Sequence, residues 1–437
     1  MMIVNMLWPQ VHTIVSQELI KPSSPTPSHF QTYNLSCLSR YISHEYIPLI
    51  LLYPNDEHSS LINKAQVLKK SLSYSLTHCY PFAGRLHKPN APYIDCNDEG
   101  VVFVEAKHDT PLQHLINEDD TCSQLFPHGM VWKNAPHKTN VLGVQLNYFG
   151  CGGIALAVSM SHKVGDGCTL GSFVTYWASV ARYGSVDHKQ VLAFSPHFIQ
   201  SPPDTTSFPS EYNQRCDNIV TRKFVFPNSK LIDLKNKVLE CGSTLSITNF
   251  TLFEALSSLL YKTLVVARSS TCKTSLLVVP MNIRNKLVPK LPPTSVGNFL
   301  ASMLVTTKFS SEASLSMILS EIRKERMKVK RIQSLQLACQ HAESQLSRLT
   351  NEEFENHVSK RTFWCSSLCG FPFYKVDFGW GKPEVASITF GSSCDLGFML
   401  MDTSNGDGIE VRATLETQDM EIFQKDQEML SFCEMCN

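Results

Sequence analysis

The sequence has no net charge: its 437 residues carry 39 Lys and Arg against 39 Asp and Glu. That balance leaves no overall field to hold nucleic acid or an anionic membrane surface, and it suits a mostly neutral partner. There is no apolar run long enough to span a bilayer; the stretch from Ile47 to Tyr53 is short and contains Pro48. The N-terminus lacks the charged, then apolar, then small-residue order of a secretory signal. The 15 Cys are odd in number and follow no repeating spacing, which argues for reduced thiols in the cytosol rather than a disulfide framework. In that compartment the glycosylation sequons at Asn34 and Asn249 carry little weight. No set of ligands stands at a recognisable metal spacing, and Cys433 to Cys436 is a lone CxxC at a fraying terminus. Short-period repeats and low-complexity tracts are absent as well. A cytoplasmic monomer without nucleic-acid, membrane or metal partners is expected.

What is present is a chain of 43% hydrophobic and 18% charged residues, long enough for two cores. Helices and strands alternate along it, which predicts a mixed α/β architecture. The boundaries read as a first domain over 1–183, a crossover over 184–217 that carries four prolines and no sustained periodicity, and a second domain over 218–437. An N-terminal strand is followed by an extended arm from Lys21 to Pro27, where three prolines forbid regular structure. Leu61, Ala65, Leu68, Leu72 and Leu76 recur at helical spacing behind possible N-caps at Ser59 and Ser60. Strands are predicted at Val101 to Glu105, Val141 to Tyr148 and Ile154 to Met160, the last two joined by a Gly-rich turn able to adopt positive φ. In the second half the pattern predicts strands at Thr221 to Phe226 and Leu276 to Met281, with further strands after Val376. Helices are predicted at about 229–239, at 249–265, and as one long run over about 314–340.

The chemistry concentrates where the strand from Ile154 ends. His162 stands there, followed four residues later by Asp166 between Gly165 and Gly167, and Leu170, Phe173, Val174, Trp177 and Val180 then fall at helical spacing. A tight loop between a buried strand and a helix displays an imidazole, the side chain best able to take and return a proton near pH 7. Asp166 has two possible tasks, to orient His162 or to hold the loop through an ion pair elsewhere. The plainer reading makes His162 a hydrogen-bonded core residue and Asp166 a helix N-cap. Ser161 and Cys168 lack the elbow context of a hydrolase nucleophile. A second segment, Asp377-Phe378-Gly379-Trp380-Gly381, places two glycines around a Trp and implies a close backbone contact.

HxxxDG near the middle and DFGWG near the C-terminus, in that order and some two hundred residues apart, resemble the motifs of the plant BAHD acyltransferase family. The resemblance runs almost end to end through Ile20 to Pro27, Tyr80-Pro81-Phe82-Ala83-Gly84-Arg85-Leu86, Asn282-Ile283-Arg284 and Gly297-Asn298. The opening arm and Val376 to Pro383 look most like the alkaloid-acetylating branch. The resemblance implies two similar domains of the chloramphenicol acetyltransferase type with a tunnel at their interface, admitting CoA from one face and the acceptor from the other. It implies His162 as general base, and Asp166 as a catalytic-loop residue whose main task is structural and whose partner is Arg284. It gives Asp377 a necessary but indirect part, with Gly379 and Trp380 supporting the site.

Lys235 and Asn298 match positions near the tunnel and are the expected CoA contacts. The basic run from Arg323 to Arg331 reads instead as a solvated helix face balanced by Glu321 and Glu325. Two departures stand out. Ser39 occupies the place where many relatives have Asp. Ser366-Ser367-Leu368-Cys369-Gly370 replaces a Thr-Ser-Trp-Cys-Arg stretch, so Leu368 cannot give an indole hydrogen bond to an oxyanion and Ser366 becomes the candidate donor.

The function so implied is acyl transfer, with acetyl-CoA as co-substrate and no permanently bound cofactor, to a hydroxyl of a plant specialised metabolite such as an alkaloid or terpenoid. Hydroxycinnamoyl-, benzoyl- or malonyl-CoA donors are the alternative within that class. From another class, a catalytically silent relative would only bind ligand or partner proteins.

Overall fold

In the computed structural model the described residues are 12–42, 44–55, 61–86, 92–109, 123–131, 139–185, 190–194, 218–242, 249–267, 274–308, 313–349, 362–388 and 396–435. The Ser59 and Ser60 caps, most of the crossover, and Cys436 lie outside them. In chain order the first half contains β1 (His12–Ile20), β2 (Thr32–Asn34), β3 (Tyr46–Tyr53), α1 (Leu61–His78), β4 (Arg85–Leu86), β5 (Tyr93–Asp95), β6 (Val101–His108), β7 (Thr139–Asn140), β8 (Leu142–Phe149), β9 (Ile154–Ser161) and α2 (Gly167–Tyr183). The second half contains β10 (Ile219–Pro227), α3 (Asn228–Gly242), α4 (Leu252–Ala267), β11 (Thr274–Asn282), β12 (Leu300–Lys308), α5 (Leu315–Lys330), α6 (Leu335–Leu349), β13 (Thr362–Ser367), β14 (Val385–Ile388), β15 (Gly397–Asp402), β16 (Gly408–Glu416), α7 (Thr417–Phe423) and β17 (Glu434–Met435).

Two large mixed sheets result. One has the order β1-β6-β8-β9-β3-β14, and the other β12-β11-β13-β15-β16-β10-β17. β3, β8 and β9 are buried at every position, so this part of the sheet is covered on both faces, and the polar Gln145 and Asn147 of β8 are satisfied by bonds to each other and to the Gln124 and Leu125 carbonyls. Pro48 is tolerated inside β3, opposite Ser159 of β9. Gly152, at φ 82°, makes the turn between β8 and β9. α1 contacts α2, with Ala65, Leu68, Leu72 and Leu76 of its predicted apolar stripe in the same core as Phe173 and Trp177, and the wholly buried Trp177 indole N–H donates to Ser71 Oγ at 3.0 Å across that contact.

Each core borrows from the far half of the sequence. β14 leaves the second half to pair antiparallel with β3, bringing Phe373, Val376, Phe378, Ala386 and Ile388 into the first core. In return Cys37, Leu38 and Tyr41, on a short 3₁₀ helix (Cys37–Tyr41), pack into the second core. The predicted long helix over 314–340 is two helices. Ser334 starts α6 by accepting the Leu337 N–H at 3.2 Å, and such side-chain capping ends one helix and begins another without any Gly or Pro to announce it. α4 begins with a reciprocal Thr251–Glu254 capping box.

Candidate active site

His162 is the first residue beyond β9, and its N–H donates to Glu45 O at 2.7 Å, so the sheet fixes where the imidazole begins. The loop then closes through Val164 N–H to Ser161 O at 2.9 Å. It ends at Asp166, whose Oδ1 accepts the Thr169 N–H at 3.0 Å and N-caps α2. The plainer sequence reading of Asp166 therefore holds, and so does the ion-pair reading. Arg284, just past β11, donates from NH1 to Asp166 Oδ2 at 2.7 Å and from NH2 to Oδ1 at 2.9 Å. Both side chains are almost fully buried, at 2% and 1% exposure.

The rest of Arg284 is equally engaged. NH2 also donates to Ser295 O at 3.0 Å and Gly297 O at 2.9 Å, and the guanidinium lies over the Phe299 ring. The Phe299 N–H adds a bond to Asp166 Oδ2 at 3.1 Å. Burial pushes the Asp166 carboxyl up. The Arg284 charge and hydrogen bonds, with the Thr169 and Phe299 amides, outweigh it and hold the group below the usual carboxylate range. With its oxygens bound in this way, Asp166 braces the loop.

Asn298 holds the same loop from the second half of the chain. It is wholly buried, and its amide donates to His162 O at 2.7 Å, Lys163 O at 3.3 Å and Ser39 Oγ at 3.1 Å. Ser36 Oγ donates to Asn298 O at 3.0 Å. Lys235 lies on an exposed position of α3, so the two residues expected to contact CoA occupy very different environments.

His162 is half-buried, and its Nδ1 is sealed from solvent without a partner in hydrogen-bonding geometry. Burial drives its pKa below the ordinary imidazole value despite the opposing effects of its own carbonyl, Asp166 and Asn298, and the neighbouring Lys163 charge pushes the same way as burial. Lys163 is itself buried, donates to Ser39 O at 3.1 Å and Arg40 O at 3.4 Å, and is lowered by desolvation to about 8. Nothing in the local sequence marks Lys163 or Ser36 as part of this arrangement.

Asp377 works mainly within its own segment. Its Oδ1 accepts the Gly379 N–H at 2.8 Å and the Gly381 N–H at 3.1 Å, and its other oxygen pairs with Arg182 in the last turn of α2. The two glycines are needed for conformation, with φ of 115° and 104°. A Cβ built on either would meet nothing within 4 Å, which corrects the expectation of a close backbone contact. Trp380 is half-buried and stacks on Phe378, with Tyr53 edge-on. The carboxylate at position 377 thus folds the turn that leads into β14.

Ser366 is half-buried in β13, opposite Met399 of β15. Leu368 continues that strand direction, its N–H donating to Leu400 O at 2.8 Å, and its side chain lies 3.2 Å from where a Cβ on Gly167 would stand. The end of β13 therefore abuts the loop carrying His162. Alternation places Ser366 on the same side as Leu368. On α5 the Lys324–Glu321 pair is exposed, as the solvated-face reading of the basic run expects, but Glu325, which pairs with Lys328, is buried and Arg326 pairs with the buried Glu254 of α4, so that reading holds for only part of the run. Among the described residues no group of three or more His, Cys, Asp or Glu side chains is placed to hold a metal. Among the same residues no helix is long and apolar enough to cross a membrane.

Comparison with known proteins places this geometry. The Transferase family model matches residues 11–430. Akuammiline synthase 1 of Alstonia scholaris is 36% identical over 433 residues, covering 96% of this chain and 97% of that protein. The crystal structure of vinorine synthase matches with a TM-score of 0.78 at 28% identity, covering 97% of this chain and 99% of the other. The crystal structure of F. sporotrichioides TRI101 complexed with coenzyme A and T-2 shares the fold, with a TM-score of 0.76 at 15% identity over 92% of this chain and 99% of that one.

Proposed function

Since the chain belongs to the Transferase family, the plant BAHD acyltransferases, and is an acyl-CoA-dependent acyltransferase of specialised metabolism, we propose that it moves an acetyl group from acetyl-CoA to a hydroxyl of an alkaloid or terpenoid. The observation that carries the general-base reading is the environment of His162. Burial favours the neutral imidazole, and the residue keeps accessible surface although Nδ1 is sealed. Nε2 is then the nitrogen left to accept a proton.

In the reaction we propose, both substrates meet at His162. Nε2 takes the acceptor's hydroxyl proton as the oxygen attacks the thioester carbonyl, which avoids a protonated adduct and is typically worth about 10²–10⁴-fold. Collapse of the tetrahedral adduct breaks the carbon–sulfur bond, and the imidazolium returns its proton to the departing CoA thiolate. Ser366, on the β13 face that approaches the His162 loop, is our candidate donor to the oxyanion. Asp166 and Arg284 hold the loop, and Asp377, Gly379 and Trp380 shape the turn before β14. We assign Asn298 to bracing the base in place of CoA contact, and Lys235 retains only its exposed position as support for a contact with CoA. The working unit we propose is a cytoplasmic monomer with its site between the regions 1–183 and 218–437, each of which lends a segment to the other's core.

Incubating the purified protein with acetyl-, malonyl-, benzoyl- and hydroxycinnamoyl-CoA and an extract of its source tissue tests the donor. A product gaining the mass of acetyl is expected. Selective gain of a larger acyl group would overturn the donor assignment, and absence of any acylated product with every donor would favour the silent binder.

A further inference from the structure

Cys37 and Cys339 are 302 positions apart in the sequence, yet their sulfurs stand 2.8 Å from each other. Cys37 opens the short 3₁₀ helix over Cys37–Tyr41 and is 2% exposed, whereas Cys339 lies on α6, which packs against that helix, and is half-buried. A disulfide needs a sulfur separation of about 2.05 Å, so closure by less than about 1 Å joins them. We infer that Cys37 and Cys339 form an oxidation site, a dithiol that a small peroxide converts to an intramolecular disulfide tying the 3₁₀ helix to α6. This inference is independent of the acyl donor and acceptor.

The contact between the two sulfurs and the Arg40 charge favour a thiolate in the pair, and the burial of Cys37 opposes it. The thiolate of one cysteine displaces hydroxide from hydrogen peroxide, giving a sulfenic acid. The other cysteine then attacks that sulfur, its thiol proton leaving with the hydroxyl as water. Overall, two thiols and one peroxide give one disulfide and two waters. Elsewhere burial raises Cys79, Cys96 and Cys365, and Cys151 is exposed but has no described partner thiol.

The location gives the bond a consequence. Ser36 and Ser39, adjoining and within this 3₁₀ helix, bond to Asn298, and Asn298 in turn holds the His162 carbonyl. A disulfide at Cys37 would fasten that brace to α6.

The full-length reduced protein, treated with hydrogen peroxide and digested without reductant, is expected to yield a peptide joining Cys37 to Cys339 with the loss of two hydrogens, released by dithiothreitol. Its unfolding midpoint should rise by several degrees on oxidation. Cys151→Ser should leave both results intact. Cys37→Ser and Cys339→Ser should each abolish them. The proposal is overturned if both thiols of the treated wild-type protein still alkylate after denaturation, or if one of the two accumulates as sulfinic acid with the other reduced. Peptide mapping of the wild type decides the matter even where a variant fails to fold.

Discussion

Arg284 holds Asp166 by two near-parallel hydrogen bonds, NH1 to Oδ2 at 2.7 Å and NH2 to Oδ1 at 2.9 Å, inside the protein. A buried pair of this kind is expensive to break, because removing one partner strands the other's charge, at a cost of about 3–5 kcal/mol. Arg284→Ala and Asp166→Ala should each lower thermal stability and soluble yield along with activity. Chemical denaturation of both variants checks this. Sensitivity at only one of the two positions would dissolve the pair as a unit.

His162→Ala should behave differently, losing about 10²–10⁴-fold in turnover while folding and acyl-CoA binding persist. Circular dichroism, calorimetric titration with acyl-CoA and steady-state rates on one preparation separate these effects. Near-normal turnover would remove His162 as the base.

The pH profile follows from the pKa directions. The working form of His162 is neutral and its pKa is depressed, so the acid limb of kcat/KM should lie below the ordinary imidazole range. Lys163→Met removes a neighbouring cation that disfavours the imidazolium, and should move that limb to higher pH. Lys163 also affects stability. Between about 8 and the free-lysine range near 10.4, the unfolded chain binds a proton that the folded chain does not, so stability rises with pH there. Lys163→Met should flatten that rise. A limb that stays in place in the variant would show that the Lys163 charge does not act on the base.

Asn298 distinguishes a brace from a cofactor contact. If its amide serves the His162 carbonyl, Asn298→Ala should lower kcat by the equivalent of about 1–3 kcal/mol and leave KM for acyl-CoA nearly unchanged. A rise in KM for acyl-CoA with kcat preserved would restore the CoA assignment.

At the second motif, Asp377→Ala should cost more stability than Arg182→Ala. The aspartate accepts two backbone amides of its own turn, whereas Arg182 is 41% exposed and its ion pair is worth at most about 1 kcal/mol. Thermal melts of the two single variants provide the comparison, and equal losses would place the role of Asp377 in the ion pair.

Local features were legible in the sequence because they depend on neighbouring residues. The buried β9, the Gly-rich turn before it, His162 at the strand end and the cap of α2 all follow from periodicity and short-range chemistry over Ile154 to Tyr183. The order and spacing of the two motifs carried the family. The break between α5 and α6 was not legible, since a serine cap interrupts a helical pattern without a breaking residue.

Tertiary structure alone decided what surrounds the base. The family resemblance named Arg284 as the partner of Asp166, and the fold showed that the one carboxylate both caps α2 and accepts that guanidinium from 118 residues away. The fold also set Asn298 on the His162 carbonyl, passed β14 into the first sheet and brought Cys339 to Cys37. The physical reason is the same in each case. Side-chain type and spacing determine local conformation, but a buried charge, carbonyl or thiol takes the partner that packing brings to it, and packing joins segments that are remote in the chain.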